Sequence, residues 1–188
     1  MSRRAHRRTA KDRNLSRAIA SGVLALVWSC ALACPTDSVP RAPGVLLTVQ
    51  GAGAGTQALD ASDLARLPVT SLVQRQQVSS GASAASDRST IYTGVLLRDI
   101  VAEAGFGAAG DRSARVGIVE AVATDGYRAT FSWGELFNSS LGEQTLVIVA
   151  QNGRPLDAAA GPLALRSLAD IRPGPRHVRN LCALLVRR

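Results

Sequence analysis

Lysine vanishes from this 188-residue chain after position 11, histidine occurs twice and cysteine three times. Each scarcity removes a class of chemistry. A P-loop needs a lysine and a helix start directly after its glycines. The run Gly51-Ala-Gly-Ala-Gly55 has neither, does not fit the context of a dinucleotide-binding pattern, and reads as a flexible turn. Ser139-Ser140 lacks a Gly-x-Ser-x-Gly setting, and there is no His/Asp set to make a serine nucleophile. Cys30 lies within an N-terminal apolar stretch and Cys34 ends it, which leaves Cys182 alone in the body. A body with one cysteine forms neither an internal disulfide nor a cysteine-based zinc site, so Cys182, on an apolar strand, is expected to be a buried packing residue. The apolar stretch itself, Ala18–Ala33, has sixteen residues, short of the roughly 20 that a membrane-spanning helix needs.

The formal charge of +8 points at first to a nucleic-acid partner, but its location excludes one. Residues 1–34 hold Arg3, Arg4, Arg7, Arg8, Lys11, Arg13 and Arg17 against the single acid Asp12. That leaves 15 arginines and 13 acids for residues 35–188, a net of about +2. A balanced body behind a basic leader is not the clustered footprint that binds a polyanion.

The leader has the layout of an export signal over residues 1–33: a charged segment, an apolar core, then the small-x-small motif Ala31-Leu32-Ala33 with Cys34 directly after it. Cleavage after Ala33 would release a soluble periplasmic or extracellular protein. Alternatively Cys34 is the lipid-modified first residue of a lipoprotein, attached to a membrane, or the leader stays as an uncleaved anchor. The arginine pairs lack the Phe-Leu-Lys continuation of a twin-arginine signal. Residues 34–44 read as a linker, and 45–188 as one domain.

Within that domain the pattern predicts strands over Val45–Gln50 and Thr70–Val78, a short helix from Asp60 to Leu67 stopped by Pro68, and a Gly/Ala/Ser loop over Ser79–Ser89. Tyr92–Gly105 predicts a helix, with Leu96, Leu97, Ile100, Val101 and Ala104 on one face and Gly105 at its C-terminal end. Arg115–Val122 and Tyr127–Phe131 flank a hairpin turn at Asp125-Gly126, and Ser132-Trp-Gly-Glu135 is a capping box. Thr145–Ala150, the Asn152-Gly153 turn and Leu163–Arg166 make a second hairpin-like pair, and Val178–Val186 closes the sheet. Mixed order, dominant strands and short helices define an α+β fold.

The C-terminal segment Asp170-Ile-Arg-Pro-Gly-Pro-Arg176-His177-Val-Arg179 places two arginines three positions apart behind a Pro-Gly-Pro turn. Arginine offers a planar fork of donors suited to phosphate or carboxylate. Residues three apart on a strand point to opposite faces, so a bend at the turn is needed for both to flank one ligand. The alternative is that they are solvated, or partners of Asp170 and Asp125. Asp125 and Glu135 are already explained by turn and cap, and Arg98-Asp99 reads as a solvated pair.

Five segments in series resemble small exported members of the sulfite oxidase-like molybdopterin-binding domain family. They are Tyr92-Thr-Gly-Val-Leu-Leu-Arg-Asp-Ile, Thr124-Asp-Gly-Tyr-Arg-Ala-Thr-Phe-Ser, Asn152-Gly-Arg-Pro-Leu, Ala160-Gly-Pro-Leu and Arg172-Pro-Gly-Pro-Arg-His-Val-Arg. The resemblance covers about residues 45–187 and implies a strand-rich sulfite oxidase-like fold and an oxidoreductase with molybdenum held by a pterin dithiolene. On it, Arg176, His177 and Arg179 would hold the anionic end of the molybdopterin, and a redox partner protein would be implied. Catalytic members supply a cysteine thiolate to the metal upstream of the helix. Here the matching stretch, Thr70-Ser-Leu-Val-Gln-Arg-Gln-Gln-Val-Ser-Ser-Gly, has no cysteine; Ser79 or Ser80 could offer an oxygen in principle, and no residue is assigned to the metal. Two functions follow, with the pterin cofactor or a small anionic ligand as the small-molecule partner: a molybdopterin-dependent oxidoreductase-like protein, or a cofactor-free extracytoplasmic binding or interaction module with a peptide or protein ligand.

Overall fold

A computed structural model of the chain describes residues 34–36, 42–51, 55–78, 86–107, 112–172 and 174–187. The leader and Ser79–Ser80 lie outside the described residues.

The chain opens with β1 (Leu47–Gln50) and β2 (Thr56–Leu59), joined by a turn in which Gly51 N–H donates to Gly55 O at 3.1 Å. Ala52–Ala54, the middle of the predicted flexible turn, lie outside the described residues. Helix α1 (Ala61–Ala65) follows, with Asp60 as its N-cap accepting from the Ser62 and Asp63 amides. Two long strands, β3 (Val69–Val78) and β4 (Ser86–Leu96), pair antiparallel before α2 (Leu97–Glu103). After a 3-10 turn at Ser113–Val116 come β5 (Ile118–Ala123) and β6 (Arg128–Ser132), then α3 (Trp133–Phe137). The chain ends with β7 (Thr145–Gln151), β8 (Arg154–Pro155), β9 (Ala164–Ser167), β10 (His177–Val178) and β11 (Leu181–Arg187).

These strands form two sheets, ordered β2-β1-β11-β5-β6 and β10-β9-β7-β4-β3, with β8 attached to β7. The fold is mixed α+β and strand-rich, as the sequence predicts. Strands β1 and β11, from opposite ends of the domain, run parallel, and the other described pairs are antiparallel. One core joins both sheets to α2. Leu47, Val49, Phe131 and Leu184 come from the first sheet, Val95, Val147, Leu165 and Val178 from the second, and Leu97, Ile100 and Val101 from the helix. No helix among the described residues is long and apolar enough to cross a membrane.

Five expectations need correction. The predicted loop over Ser79–Ser89 ends by Ser86, where β4 begins and pairs with β3. The predicted helix over Tyr92–Gly105 begins only at Leu97, because Tyr92–Leu96 pairs with β7 on one side while continuing along β3 on the other. Gly94 permits the approach to β7: a Cβ there would collide with the Val147 carbonyl oxygen. Tertiary pairing on two edges overrides the local helical pattern. The buried face of α2 and the stop at Gly105 (φ 88°) are as predicted. The predicted strand over Arg115–Val122 begins at Ile118, after the 3-10 turn.

The predicted strand over Val178–Val186 is also two strands in different sheets. They are separated at Arg179-Asn180, where Asn180 adopts φ 49° and its N–H donates to Ala160 O at 2.7 Å. Asparagine tolerates this left-handed conformation better than most residues.

The largest correction concerns cysteine. Cys34 and Cys182 form a disulfide that closes 148 positions of sequence. Counting Cys34 with the leader hid the pairing. Cys182 projects from β11 away from the main core, where it packs with Cys34, Val122 and Ala183 against Leu185. The bond fixes Cys34–Thr36 to the back of the first sheet, and it occupies the sulfur that a lipid thioether at Cys34 would use.

Because a link across so long a loop restricts the unfolded chain strongly, Cys182→Ser should lower unfolding free energy by up to about 5 kcal/mol. Denaturant titration should show the same loss for the native chain in dithiothreitol, and no further loss when the reductant is added to the variant.

Candidate anion-binding site

The site begins where β9 ends. Ser167 Oγ donates to Asp170 Oδ1 at 2.8 Å, turning the chain into the loop that returns as β10. Arg176 closes this loop from the far side. Its Nε donates to both Asp170 oxygens, at 3.1 and 3.0 Å, and its Nη2 also meets Asp170. Its Nη1 donates to Glu135 Oε1 at 2.8 Å, and its Cζ stands 5.2 Å from the Phe131 ring centroid. The other Glu135 oxygen accepts from the Ser132 N–H at 2.8 Å and its hydroxyl at 3.0 Å, so the predicted capping box of α3 is present.

Burial opposes ionisation of Asp170, but the hydrogen bonds from Arg176 and Ser167 outweigh it and hold the carboxyl below its ordinary range. Glu135 is likewise held low: burial pushes it up, while bonds from the Ser132 amide and Arg176 more than compensate. The Arg176 guanidinium is raised, chiefly by its bond to Asp170. Arg176 is thus the centre of an internal ion cluster, the second of the alternatives its sequence position allowed, and does not present a free fork to a ligand.

His177 and Arg179 have a different setting. Together with Asp125, Tyr127 and Gly174 they line an open cavity of about 340 Å³. Asp125 Oδ1 accepts the Tyr127 N–H at 2.9 Å, in the predicted turn, and Tyr127 OH donates to Pro175 O at 2.6 Å, tying the β5–β6 hairpin to the loop. Arg179 is exposed and has no hydrogen-bond or ion-pair partner among the described residues. Asp125 shares its cavity without forming a salt bridge to it.

Behind His177 stands Arg166. The two are Cα partners in the β9–β10 ladder, so their side chains share one face of the sheet. Arg166 is only 9% exposed; its Nη1 donates to Tyr92 OH at 2.7 Å and its Cζ lies 5.3 Å from that ring. Its Nε is buried without a partner, and no carboxylate pairs with it among the described residues. A buried cation without a counter-charge is uncommon, because desolvation is unfavourable unless the charge is neutralised. Half-buried His177 registers this field: burial first, then the charges of Arg166 and Arg179, push its imidazole below its ordinary value. It is neutral at pH 7.

Of the three residues that the sequence assigns to cofactor binding, the structure brings His177 and Arg179 to one cavity and ties Arg176 elsewhere. Arg166, Tyr92 and Tyr127 were not predicted. The available signal for Arg166 was its position in the apolar run Leu163-Ala-Leu-Arg, where strand alternation between two covered faces buries every side chain. Arg98 and Asp99 approach to 3.7 Å on the helix surface, the partly solvated pair expected of them. No group of three or more His, Cys, Asp or Glu residues among those described is placed to hold a metal ion.

No family model matches the chain, and no curated protein matches it. Among solved structures it resembles the sulfane dehydrogenase SoxCD from Paracoccus pantotrophus, with a TM-score of 0.57 and 16% identity. The alignment covers 79% of this chain and 39% of that one. The present chain therefore spans well under half of its structural neighbour. At this identity the likeness establishes the fold.

Both carboxylates of the Arg176 cluster have folded values below their unfolded ones, so the cluster stabilises the fold above about pH 4, and that contribution is lost as pH falls through the lower folded values. Thermal unfolding between about pH 6 and pH 3 should show this acid limb, and Asp170→Asn should flatten it while lowering stability at neutral pH.

Proposed function

We propose that this chain is an exported protein on a sulfite oxidase-like fold that holds an anionic ligand at Arg166, His177 and Arg179, with the phosphate of a molybdopterin as the ligand the fold favours. The observation that carries this reading is the orphaned, buried Nε of Arg166, the cross-strand neighbour of His177, which lines one cavity with the unpaired Arg179. An oxyanion bridging this group would neutralise a desolvated guanidinium and accept from Arg179 in the fork geometry that arginine provides. Export is supported by the leader's layout and by the Cys34–Cys182 disulfide, a bond that persists in oxidising compartments.

The residues present fit the anionic end of a molybdopterin but not its metal. Molybdenum on a pterin dithiolene would supply oxidation-reduction chemistry, and the family's thiolate ligand to it has no counterpart here. Cys34 and Cys182 are joined to each other, and Thr70–Val78 carries no cysteine. The chain's own groups therefore bind and orient an anion: Arg166 fixes one charge position from beneath, Arg179 closes from solvent, and His177 supplies a titratable donor between them. A redox partner protein belongs to this function only where the metal is held. The cofactor-free binding module remains the second reading, favoured by the missing thiolate.

The deciding experiment uses the full-length chain purified after export from a host that makes molybdenum cofactor, with pterin measured by fluorescence after oxidation and molybdenum by mass spectrometry. Pterin near one per chain, lost in the His177→Ala/Arg179→Ala double variant with circular dichroism unchanged, is the expected result. Pterin retained in that variant would remove these residues from the site. A chain with no pterin that still binds sulfate would identify the second reading, and one that binds neither would end both.

The imidazole also sets a pH dependence. A bound anion stabilises imidazolium, so binding takes up a proton and tightens as pH falls. Sulfate, whose charge is constant in this range, should bind more tightly at about pH 5.5 than at pH 7.5, and His177→Gln should abolish that difference.

A further inference from the structure

Arg176 lies beside His177 in sequence and is withheld from the cavity by two carboxylates. We infer that Arg176 is a positioning residue of the anion site: it fixes the wall formed by Gly174 and His177, and it is not itself a ligand. This inference rests on the anion-binding reading above. The wall has few other supports. Gly174 has φ 133°, and its carbonyl accepts the His177 N–H at 2.9 Å; Ser167 N–H donates to Arg176 O at 3.2 Å. Strand β10 is two residues long and pairs with β9 at one edge. A two-residue strand holds its side chains poorly by backbone bonding alone. Arg176 adds three anchors of separate origin: Asp170 on its own loop, Glu135 on α3, and the Phe131 face on β6. Tyr127 OH on Pro175 O supplies a further tie from the hairpin. The guanidinium thus sets where the next residue, His177, stands relative to Arg166, and where the chain emerges towards Arg179.

The two roles for Arg176 give opposite signs in one variant. Asp170→Asn removes the charge that restrains the guanidinium. Were Arg176 a ligand in waiting, this change would free it and strengthen anion binding. As a positioning residue it loses its main anchor, and binding should weaken by about tenfold, the scale of one lost charge-assisted hydrogen bond. The probe is sulfate, titrated calorimetrically into the full-length exported chain, with the His177 imidazole followed by NMR. Sulfate should raise the His177 pKa in the native chain, and about tenfold more sulfate should be needed for the same rise in Asp170→Asn. A purely stabilising cluster would lower melting temperature and leave both readouts of the folded protein unchanged. Glu135→Gln, which keeps an oxygen for the Ser132 cap, provides a milder variant and should weaken binding to a smaller degree. Unchanged or tighter sulfate binding in these variants would overturn the inference. Should the native chain bind no sulfate, the anion-binding reading fails, and amide exchange across His177–Asn180 decides the positioning role: faster exchange in Asp170→Asn supports it, equal exchange refutes it.

Discussion

The closing segment of this chain must serve both sheets, and the structure depends on how it does so. Residues 177–178 finish the second sheet and residues 181–187 form the centre of the first. Between them Asn180, in a left-handed conformation, donates its N–H to Ala160 O and accepts the Thr124 N–H at 3.1 Å. Gly161 packs so closely against Asn180 that a side chain at 161 would collide with it. This crossing places Val178 and Leu184 in one core, turns Cys182 to the back of the first sheet for Cys34, and leaves Arg179 at the rim of a cavity. A continuous strand would have kept these residues in a single sheet and separated the site from half of its supports.

The crossing also sorts the arginines by their electrostatic surroundings. Arg176 and Arg166 are both removed from bulk water, yet one meets two carboxylates and the other a phenol. For Arg176 desolvation is offset locally, and the cluster is complete without a ligand. For Arg166 a single neutral acceptor and a ring face leave one N–H orphaned and the charge uncompensated. Trp133 Nε1 is also buried without a partner, but it is neutral; at Arg166 the unsatisfied group carries a charge, which a counter-ion would compensate. The neighbouring imidazole is depressed first by its own burial, and the two cations Arg166 and Arg179 add to that.

How much of this was legible in the sequence depends on whether the controlling interaction was local. The Asp60 cap, the Ser132–Glu135 capping box, the Asp125-Gly126 hairpin and the Asn152-Gly153 turn, with φ of 50° and 72°, depend on residues within a few positions of one another, and all were readable. The strand-rich α+β class followed from their sum. Tyr92–Leu96 was not readable, because its strand state is imposed by β3 and β7 from distant parts of the chain. Nor was Glu135 as a partner of Arg176, 41 positions away, since its capping role already accounted for it. Residue type picked out His177 and Arg179, which the fold brings to one cavity. It could not separate Arg176 from them, because adjacency in sequence says nothing about which carboxylates the fold brings near.

The disulfide has a consequence for the binding and metal-holding halves of a sulfite oxidase-like fold. A thiolate ligand must be free, whereas Cys34 and Cys182 are consumed in tying Cys34–Thr36 to the sheet, on the face away from the core and from the cavity. The anion site depends on neither sulfur: its parts are held by β9, β10, the Arg176 cluster and the β5–β6 hairpin. Holding an anion and holding a metal are therefore physically separable on this framework. The first needs cations on a braced loop; the second needs a soft donor at a fixed point, which Thr70–Val78 does not provide. A chain with the first alone can retain a ligand without acting on it, and its selectivity would then come from the spacing between Arg166, His177 and Arg179.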